Sequence, residues 1–269
     1  MDYDQTMPNL IDLYNKADVN RISRFSTAAK NLDIAEICED YAELRSAAPQ
    51  RFKHGKTYFV ASHNGIPSSG ESSNRREEHL AIAMYNASRS GKQFELPDGR
   101  NLEVVDYQTP LKAKQSDRGV GKVDLFGVVD KTLPTVIELK IEGQNGGYSD
   151  TPLRALLEGL AYCAIVEANI SAITEEASSK FGLSLSATRP ILTIMAPEEY
   201  WSRYLENTST GSWLPELVRV IDSLKGQLKL EVRMVALKGA KLEMGLGGKH
   251  PVLHGNCEFV SVEQIAGAL

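Results

Sequence analysis

Apolar positions along the chain switch between two periods. From residue 9 to 47 they recur every three to four positions. Leu10, Ile11, Leu13 and Tyr14 form one such group, and Ile34, Ile37, Cys38, Tyr41 and Leu44 a second. This spacing predicts a helical N-terminal layer. Residues 49–74 lose the pattern and read as loop, with one short strand expected at "TYFVAS" and a turn-rich linker at "NGIPSSGESSN". The helical period returns in "NRREEHLAIAMYNAS", with Ser73 or Asn74 as its N-cap.

The period then becomes two. "NLEVVDYQTPL", "KVDLFGVV" and "TVIELKIE" read as three consecutive strands, the last two joined by "DKTLP", short enough for a hairpin. A long amphipathic helix follows at "PLRALLEGLAYCAIVEAN", with Asp150 or Thr151 as N-cap and Pro152 in its first turn. "PILTIMA" is a fourth strand that leads into "PEEYWSRYL". "WLPELVRVIDSLKGQL" is a helix, "KLEVRMVAL" a fifth strand, and the tail is Gly-rich before a strand and a short helix. The expected fold class is α/β, with a mixed central β-sheet flanked by helices and an N-terminal helical extension. The expected division is an extension over residues 1–72 and a main domain over 73–269.

Composition narrows the function classes. The 269 residues are 42% hydrophobic and 24% charged, with a formal net charge of -5. Bulk attraction to nucleic acid is excluded by that charge, whereas a local basic groove is not. Cys38, Cys163 and Cys257 are far apart and form no CxxC pair, and the five histidines form no HxxxH or HExxH pattern. Three reduced thiols and no zinc site are expected. The N-terminus lacks the basic and apolar regions of a signal peptide, and no apolar run is long enough to span a bilayer, so a cytoplasmic protein is expected.

The candidate chemistry lies in "GKVDLFGVVDKTLPTVIELK" at 121–140. Residues two apart on a strand share a face, so Glu138 and Lys140 project together, and Ile137, Leu139 and Ile141 project the other way. If the two strands pair, Asp124 lies beside Glu138. Carboxylates so placed repel unless a cation sits between them, and a hard divalent ion prefers such oxygens. Upstream, Glu77 lies on the core-facing stripe of its helix, with Glu78 beside it. Downstream, Arg154, Glu158 and Tyr162 are spaced i, i+4, i+8 and form one polar row on an otherwise apolar helix. Such a row requires partners.

This ordered set resembles the PD-(D/E)xK nuclease superfamily, with a restriction-endonuclease-like core. Asp124 matches the acid of the first motif, and Glu138-Leu139-Lys140 the (D/E)xK motif. Val123 stands where the motif's name has proline. The stretch Glu158 to Tyr162 resembles the QxxxY pattern of the RecB-like branch, with Glu in place of Gln. The resemblance covers about residues 73–168. It implies an Mg2+- or Mn2+-dependent nuclease, endo- or exonucleolytic, acting on nucleic acid, most simply DNA, and a homodimer where two strands are cut. It further implies that Glu77, Asp124 and Glu138 hold the metal and that Lys140 activates or positions water. Glu158, Tyr162 and Arg154 would line the substrate groove.

Two other readings stand beside it: a catalytically inactive nuclease-fold subunit that binds nucleic acid or acts as a scaffold, and a protein-interaction module. Other motifs carry less. "GLGGKH" at 245–250 is not a P-loop, because Glu243 stands where the first Gly is needed and His250 where Ser or Thr is needed. "RFKHGK" at 51–56 and the cluster Lys112, Lys114 and Arg118 are basic surfaces able to touch phosphates without reading sequence. Trp201, Trp213, Tyr200 and Tyr204 read as core packing rather than a base-stacking platform.

Overall fold

The computed structural model describes residues 9–67, 75–143, 147–186, 189–207, 212–245 and 250–268. The helical layer expected over 9–47 resolves into α1 (Asn9–Asn15), α2 (Phe25–Lys30) and α3 (Ile34–Ser46). Asp33 starts α3 by accepting the Ala35 and Glu36 backbone N–H at 2.9 and 3.3 Å. A short 3-10 turn at Arg51–His54 follows. "TYFVAS" is not a strand. Its backbone is held by side chains instead of a ladder: Glu176 accepts the Tyr58 and Phe59 N–H, and Asp106 accepts that of Val60.

Then come α4 (Arg76–Arg89), β1 (Phe94–Glu95), β2 (Asn101–Pro110), β3 (Lys122–Val129), β4 (Leu133–Leu139) and α5 (Pro152–Ala168). The Ser73 or Asn74 cap expected for α4 lies outside the described residues. A further helix that the apolar pattern does not announce, α6 (Ile170–Phe181), follows α5 with only Asn169 between them and a bend of 78°. The rest is β5 (Ile191–Pro197), α7 (Glu198–Glu206), α8 (Trp213–Leu228), β6 (Val232–Lys238), β7 (Lys241–Met244), β8 (Pro251–His254), β9 (Glu258–Ser261) and α9 (Val262–Ala268).

Seven strands form one mixed sheet in the order β1-β2-β3-β4-β5-β6-β9. β1 to β4 are antiparallel neighbours, β4-β5-β6 run parallel, and β9 closes the far edge antiparallel. The β3–β4 hairpin turns on Asp130 and Lys131, both at positive φ (47° and 62°), the backbone that matches strand twist. β4 and β5 are joined through α5 and α6, the long crossover that parallel neighbours require.

Two cores cover the two faces. One face packs under α4 and the β7–β8 hairpin, with Leu80, Met84, Leu125, Ile137 and Leu139 buried. The other packs under α5, α8 and the N-terminal helices, with Tyr14, Phe25, Phe126, Leu156 and Trp213 in one continuous cluster. The N-terminal helices thus share one hydrophobic cluster with α5 and α8. α5 is buried almost all round; each of Leu153, Leu156, Leu157 and Leu160 contributes about 1.5–3 kcal/mol by burial. Gly159 lets α5 settle on β5, since a Cβ there would meet Leu192 at 2.5 Å. Among the described residues no single helix is long and apolar enough to cross a membrane.

Candidate active site

The register of the sheet places the acids. Leu125 pairs with Ile137 in the β3–β4 ladder, so the next step sets Asp124 opposite Glu138. On the other side, the β2–β3 register sets Gln108 opposite Asp124. Gln108 holds φ +47°, an unusual value for a strand residue, and its amide donates to Asp124 Oδ1 at 3.0 Å. The Leu139 backbone N–H donates to Asp124 Oδ2 at 3.0 Å. β4 stops at Leu139, short of the expected "TVIELKIE", yet the Lys140 N–H still reaches the Met195 carbonyl at 2.9 Å. That bond keeps the strand's alternation through the lysine.

Glu138 and Lys140 therefore share a face, as period two requires, and Ile137 and Leu139 face the α4 core. The acid–lysine face is buried as well: Glu138 is 2% exposed and Lys140 3%. The Lys140 ammonium donates to Glu138 Oε1 at 2.6 Å and stands 3.9 Å from Glu158 and 4.0 Å from Asp150. Glu138 Oε2 is buried with no hydrogen-bond partner. A carboxylate oxygen left so is costly, and an unexplained one marks either strain or a missing partner.

α5 brings its polar row to the same place. Thr151, rather than Asp150, is the N-cap, accepting the Arg154 N–H at 3.2 Å. Asp150 is thereby free to pair with Arg154 one turn on. Arg154 also stands 3.9 Å from Glu158, and the Tyr162 hydroxyl donates to Glu158 Oε1 at 2.9 Å. Gly121 admits the tyrosine, since a Cβ there would lie 2.3 Å from its hydroxyl. From α1, the Tyr14 hydroxyl donates to the Gly119 carbonyl at 2.5 Å, and the Arg154 guanidinium lies over its ring.

A cleft of about 540 Å³ opens in front of this cluster, lined by Glu77, Glu78, Gln108, Asp124, Arg75, Arg76 and the start of the 141–149 segment. Glu77 and Asp124 face it, whereas Glu138, Lys140, Glu158, Tyr162 and Arg154 are not in its lining. Glu77 receives a backbone hydrogen bond from Ile141 and feels Lys140, while Glu78 pairs with Arg75 at 3.4 Å. Glu77 is thus the α4 acid that belongs to the cluster.

The charges do not balance. Burial, then Glu77 and Glu158, push Asp124 from 3.8 up to about 6, although Lys140 and the Leu139 N–H oppose the rise. Burial raises Glu138 well above the usual carboxylate range, with Asp124 and Glu158 adding to it. Glu77 is raised in the same way, by burial and then by Asp150 and Glu158. Burial alone would lower Lys140, but Glu138, Asp124, Glu77 and Glu158 outweigh it and raise the ammonium well above its ordinary value. The surrounding carboxylates thus favour the charged form of Lys140.

No family model, curated protein or solved structure matches this chain.

The residues expected to hold a metal converge without closing. Among the described residues no three His, Cys, Asp or Glu side chains form a ready ligand group. The reason is local: both Asp124 oxygens accept protein hydrogen bonds, and Lys140 holds one oxygen of Glu138. The chemistry of the set still fits a hard divalent ion. Its donors are carboxylate oxygens, one of them is orphaned, and acids outnumber cations. Sequence patterns do not single out Gln108 or Asn20. Asn20 donates to Asp150 Oδ1 at 2.7 Å and accepts the Thr151 N–H at 2.9 Å. Asn20 lies in a turn, where a polar residue carries no periodic signal, and Gln108 owes its contact to a positive φ within β2, so neither residue is legible from the chain alone. The four aromatic residues of α7 and α8 are core, as expected: the indoles of Trp201 and Trp213 donate to the Val235 and Tyr204 carbonyls. Residues 246–249 of the P-loop-like segment lie outside the described residues.

Proposed function

We propose that the chain is a divalent-metal-dependent nuclease, built on a restriction-endonuclease-like core, that hydrolyses phosphodiester bonds in DNA. The reading rests on one observation above all: Asp124, Glu138, Lys140 and Glu77, drawn from three separate elements, meet beside a cleft with more carboxylate than cation. Clusters whose acids are pushed upward by burial and by one another are a common mark of functional sites.

Glu77 and Asp124, with the free oxygen of Glu138, would hold Mg2+ or Mn2+. Such an ion would supply Lewis acidity and lower the pKa of bound water. Lys140 stays protonated and contributes fixed positive charge toward an attacking water or a charge-bearing phosphate oxygen. Tyr162, whose hydroxyl burial keeps protonated, fixes Glu158. Glu158 and Asp150 in turn hold Arg154, which can neutralise a phosphate beside the scissile one.

One observation favours a second reading, a non-catalytic nuclease-fold subunit: Glu138 and Lys140 are buried behind the cleft, and the acids do not close into a ligand group. Cleavage of plasmid and oligonucleotide DNA separates the two. The nuclease reading expects cleavage with Mg2+ or Mn2+, none with EDTA, and loss in Asp124→Asn and Lys140→Met. Cleavage that survives both substitutions would sink the mechanism, and tight DNA binding without cleavage would establish the second reading.

A further inference from the structure

Two basic segments far apart in sequence meet in the fold. Arg51, Lys53 and Lys56 lie in or beside the 3-10 turn, Lys112, Lys114 and Arg118 lie in the segment joining β2 to β3, and Lys122 is the first residue of β3. The Arg51 guanidinium donates to the Lys112 carbonyl and to the Thr57 carbonyl, and the Lys56 ammonium donates to the Ala113 carbonyl at 2.5 Å. These bonds bind the two segments into one ledge.

The ledge carries more cation than acid. None of the seven cations stands in a salt bridge with another described residue, in a chain whose net charge is -5. Its one acid, Asp117, is committed to the backbone, accepting the Ala113 and Lys114 N–H at 2.8 Å each. All the lysines and Arg118 are exposed. Phe52 stands among them at 50% exposure, the most exposed large hydrophobic of the described residues. Solvated lysines need no partner. A large aromatic left in water among seven cations without salt bridges is the unusual element.

The ledge is continuous along the chain with two residues of the cleft wall, Gln108 before it and Asp124 after it. Its second segment runs directly into β3, and Asp124 is three residues past Gly121, at most about 11 Å along the chain. The Gly119 carbonyl in the same segment accepts from the Tyr14 hydroxyl, whose ring lies under the Arg154 guanidinium. Cations that follow a backbone together with an aromatic face for stacking are the two parts of a single-strand binding surface.

We infer that this ledge binds a single-stranded stretch of the nucleic acid whose scissile phosphate enters the cleft. Lys53, Lys112, Lys114 and Arg118 contact successive phosphates, and Phe52 stacks on an unpaired base. The inference rests on the nuclease reading for its partner, so its test is made without catalysis.

Binding of a fluorescein-labelled single-stranded oligonucleotide, and of the matching duplex, is measured by anisotropy in EDTA over rising NaCl. The wild-type chain should prefer the single strand. Lys53→Glu, Lys112→Glu and Lys114→Glu combined should weaken binding about tenfold or more. The triple variant should also flatten the slope of log affinity against log salt, by about 0.7 for each phosphate it no longer neutralises. A control triple, Lys30→Glu, Lys131→Glu and Lys225→Glu, changes net charge equally and should bind as wild type. Phe52→Ala should weaken single-strand binding about tenfold and leave the duplex unchanged. Circular dichroism melts of each variant establish that it is folded. Equal loss in both triples, or no loss in the first, overturns the ledge even if metal-dependent cleavage is found. Binding to phosphatidylserine vesicles that disappears with the same lysines, without oligonucleotide binding, overturns it in favour of a membrane surface. Ledge-dependent DNA binding in a protein that never cleaves supports the ledge and removes the catalytic reading.

Discussion

Helix α5 carries one acid cluster at Glu158 and another at Glu167, and the two obey opposite rules. Glu167 and Glu158 are nine residues apart, about 13 Å along the axis. At Glu167 the cations suffice. Arg189 donates twice at 2.9 and 3.0 Å, Arg45 at 2.6 Å and the Tyr41 hydroxyl at 2.8 Å. Burial would raise this carboxyl, but the bonds from Arg189, Arg45 and Tyr41 outweigh it and hold it below the usual range. At Glu158 one buried lysine and one arginine serve Glu77, Asp124, Glu138, Asp150 and Glu158, and the carboxyls of the first three are pushed upward. The difference teaches what separates a fully satisfied ion cluster from one that keeps capacity to bind. The first has satisfied every oxygen and has nothing further to bind. The second holds an orphaned Glu138 oxygen behind a cleft and surplus carboxylate, Glu77 and Asp124, in its wall.

The comparison breaks most visibly at Lys140. Lys140→Met removes the one cation buried between the acids, and breaking a buried pair by deleting one partner costs about 3–5 kcal/mol. Urea melts at neutral pH should show that loss, and cleavage should vanish with it. A melt unchanged from wild type would mean that the acids are neutralised in some other way. Asp124→Asn moves stability in the reverse direction. Asp124 is raised from 3.8 to about 6, so between those values the folded state holds a proton that the unfolded state has released. Stability therefore falls as pH rises through that window, by on the order of 3 kcal/mol. Glu77 and Glu138 act with the same sign. The variant should lose cleavage about a thousandfold, yet melt at a higher temperature at pH 7 and lack much of the fall between pH 4 and 6. Equal stability profiles would remove the claim of a charge-strained site.

Much of this contrast is legible before any coordinate. Alternation in "TVIELK" places Glu138 and Lys140 on one face, because a strand's period of two leaves no other arrangement, and Asp124 joins them through the β3–β4 register. The helical row Arg154, Glu158, Tyr162 is equally plain, since i, i+4 spacing is geometry within one element. What stays hidden depends on contacts between elements. Gln108 reaches Asp124 through a positive φ that no pattern announces. Burial of the acid–lysine face follows from how α1 and α5 close over the sheet. "TYFVAS" has a strand's composition but finds its partners in the Glu176 and Asp106 carboxylates, fixed by residues far along the chain. Asp150 and Thr151 are both good capping types, and only the structure assigns the cap to Thr151 and the ion pair to Asp150.

The satisfied cluster should respond to Glu167→Gln by losing about 1–3 kcal/mol, because bonds from charged donors weaken and the arginines lose their anion. Its pH dependence has the opposite sign to that of Asp124. A depressed carboxyl stabilises above its ordinary value and loses that contribution as pH falls through the folded one. Cleavage by Glu167→Gln should match wild type at temperatures where the variant is folded. A large loss of cleavage there would show that the two ends of α5 are coupled.

The smallest effect is expected where the N-terminal layer touches the site. Asn20 donates to Asp150 Oδ1 and accepts the Thr151 N–H, so one amide fixes both the acid that pairs with Arg154 and the start of α5. Asn20→Ala removes these two bonds from a partly exposed turn and should cost about 1 kcal/mol of stability. If Asn20 positions Asp150 and hence Arg154, substrate affinity should weaken several-fold while the rate at saturating DNA stays near wild type. A fall in that rate with unchanged KM would instead assign the Asp150–Arg154 pair to the chemical step. Asn20→Asp keeps the acceptor for Thr151 but sets a second carboxylate against Asp150, so it should weaken substrate binding more than alanine does. The order of those two variants distinguishes an electrostatic role for Asn20 from simple packing at the head of α5.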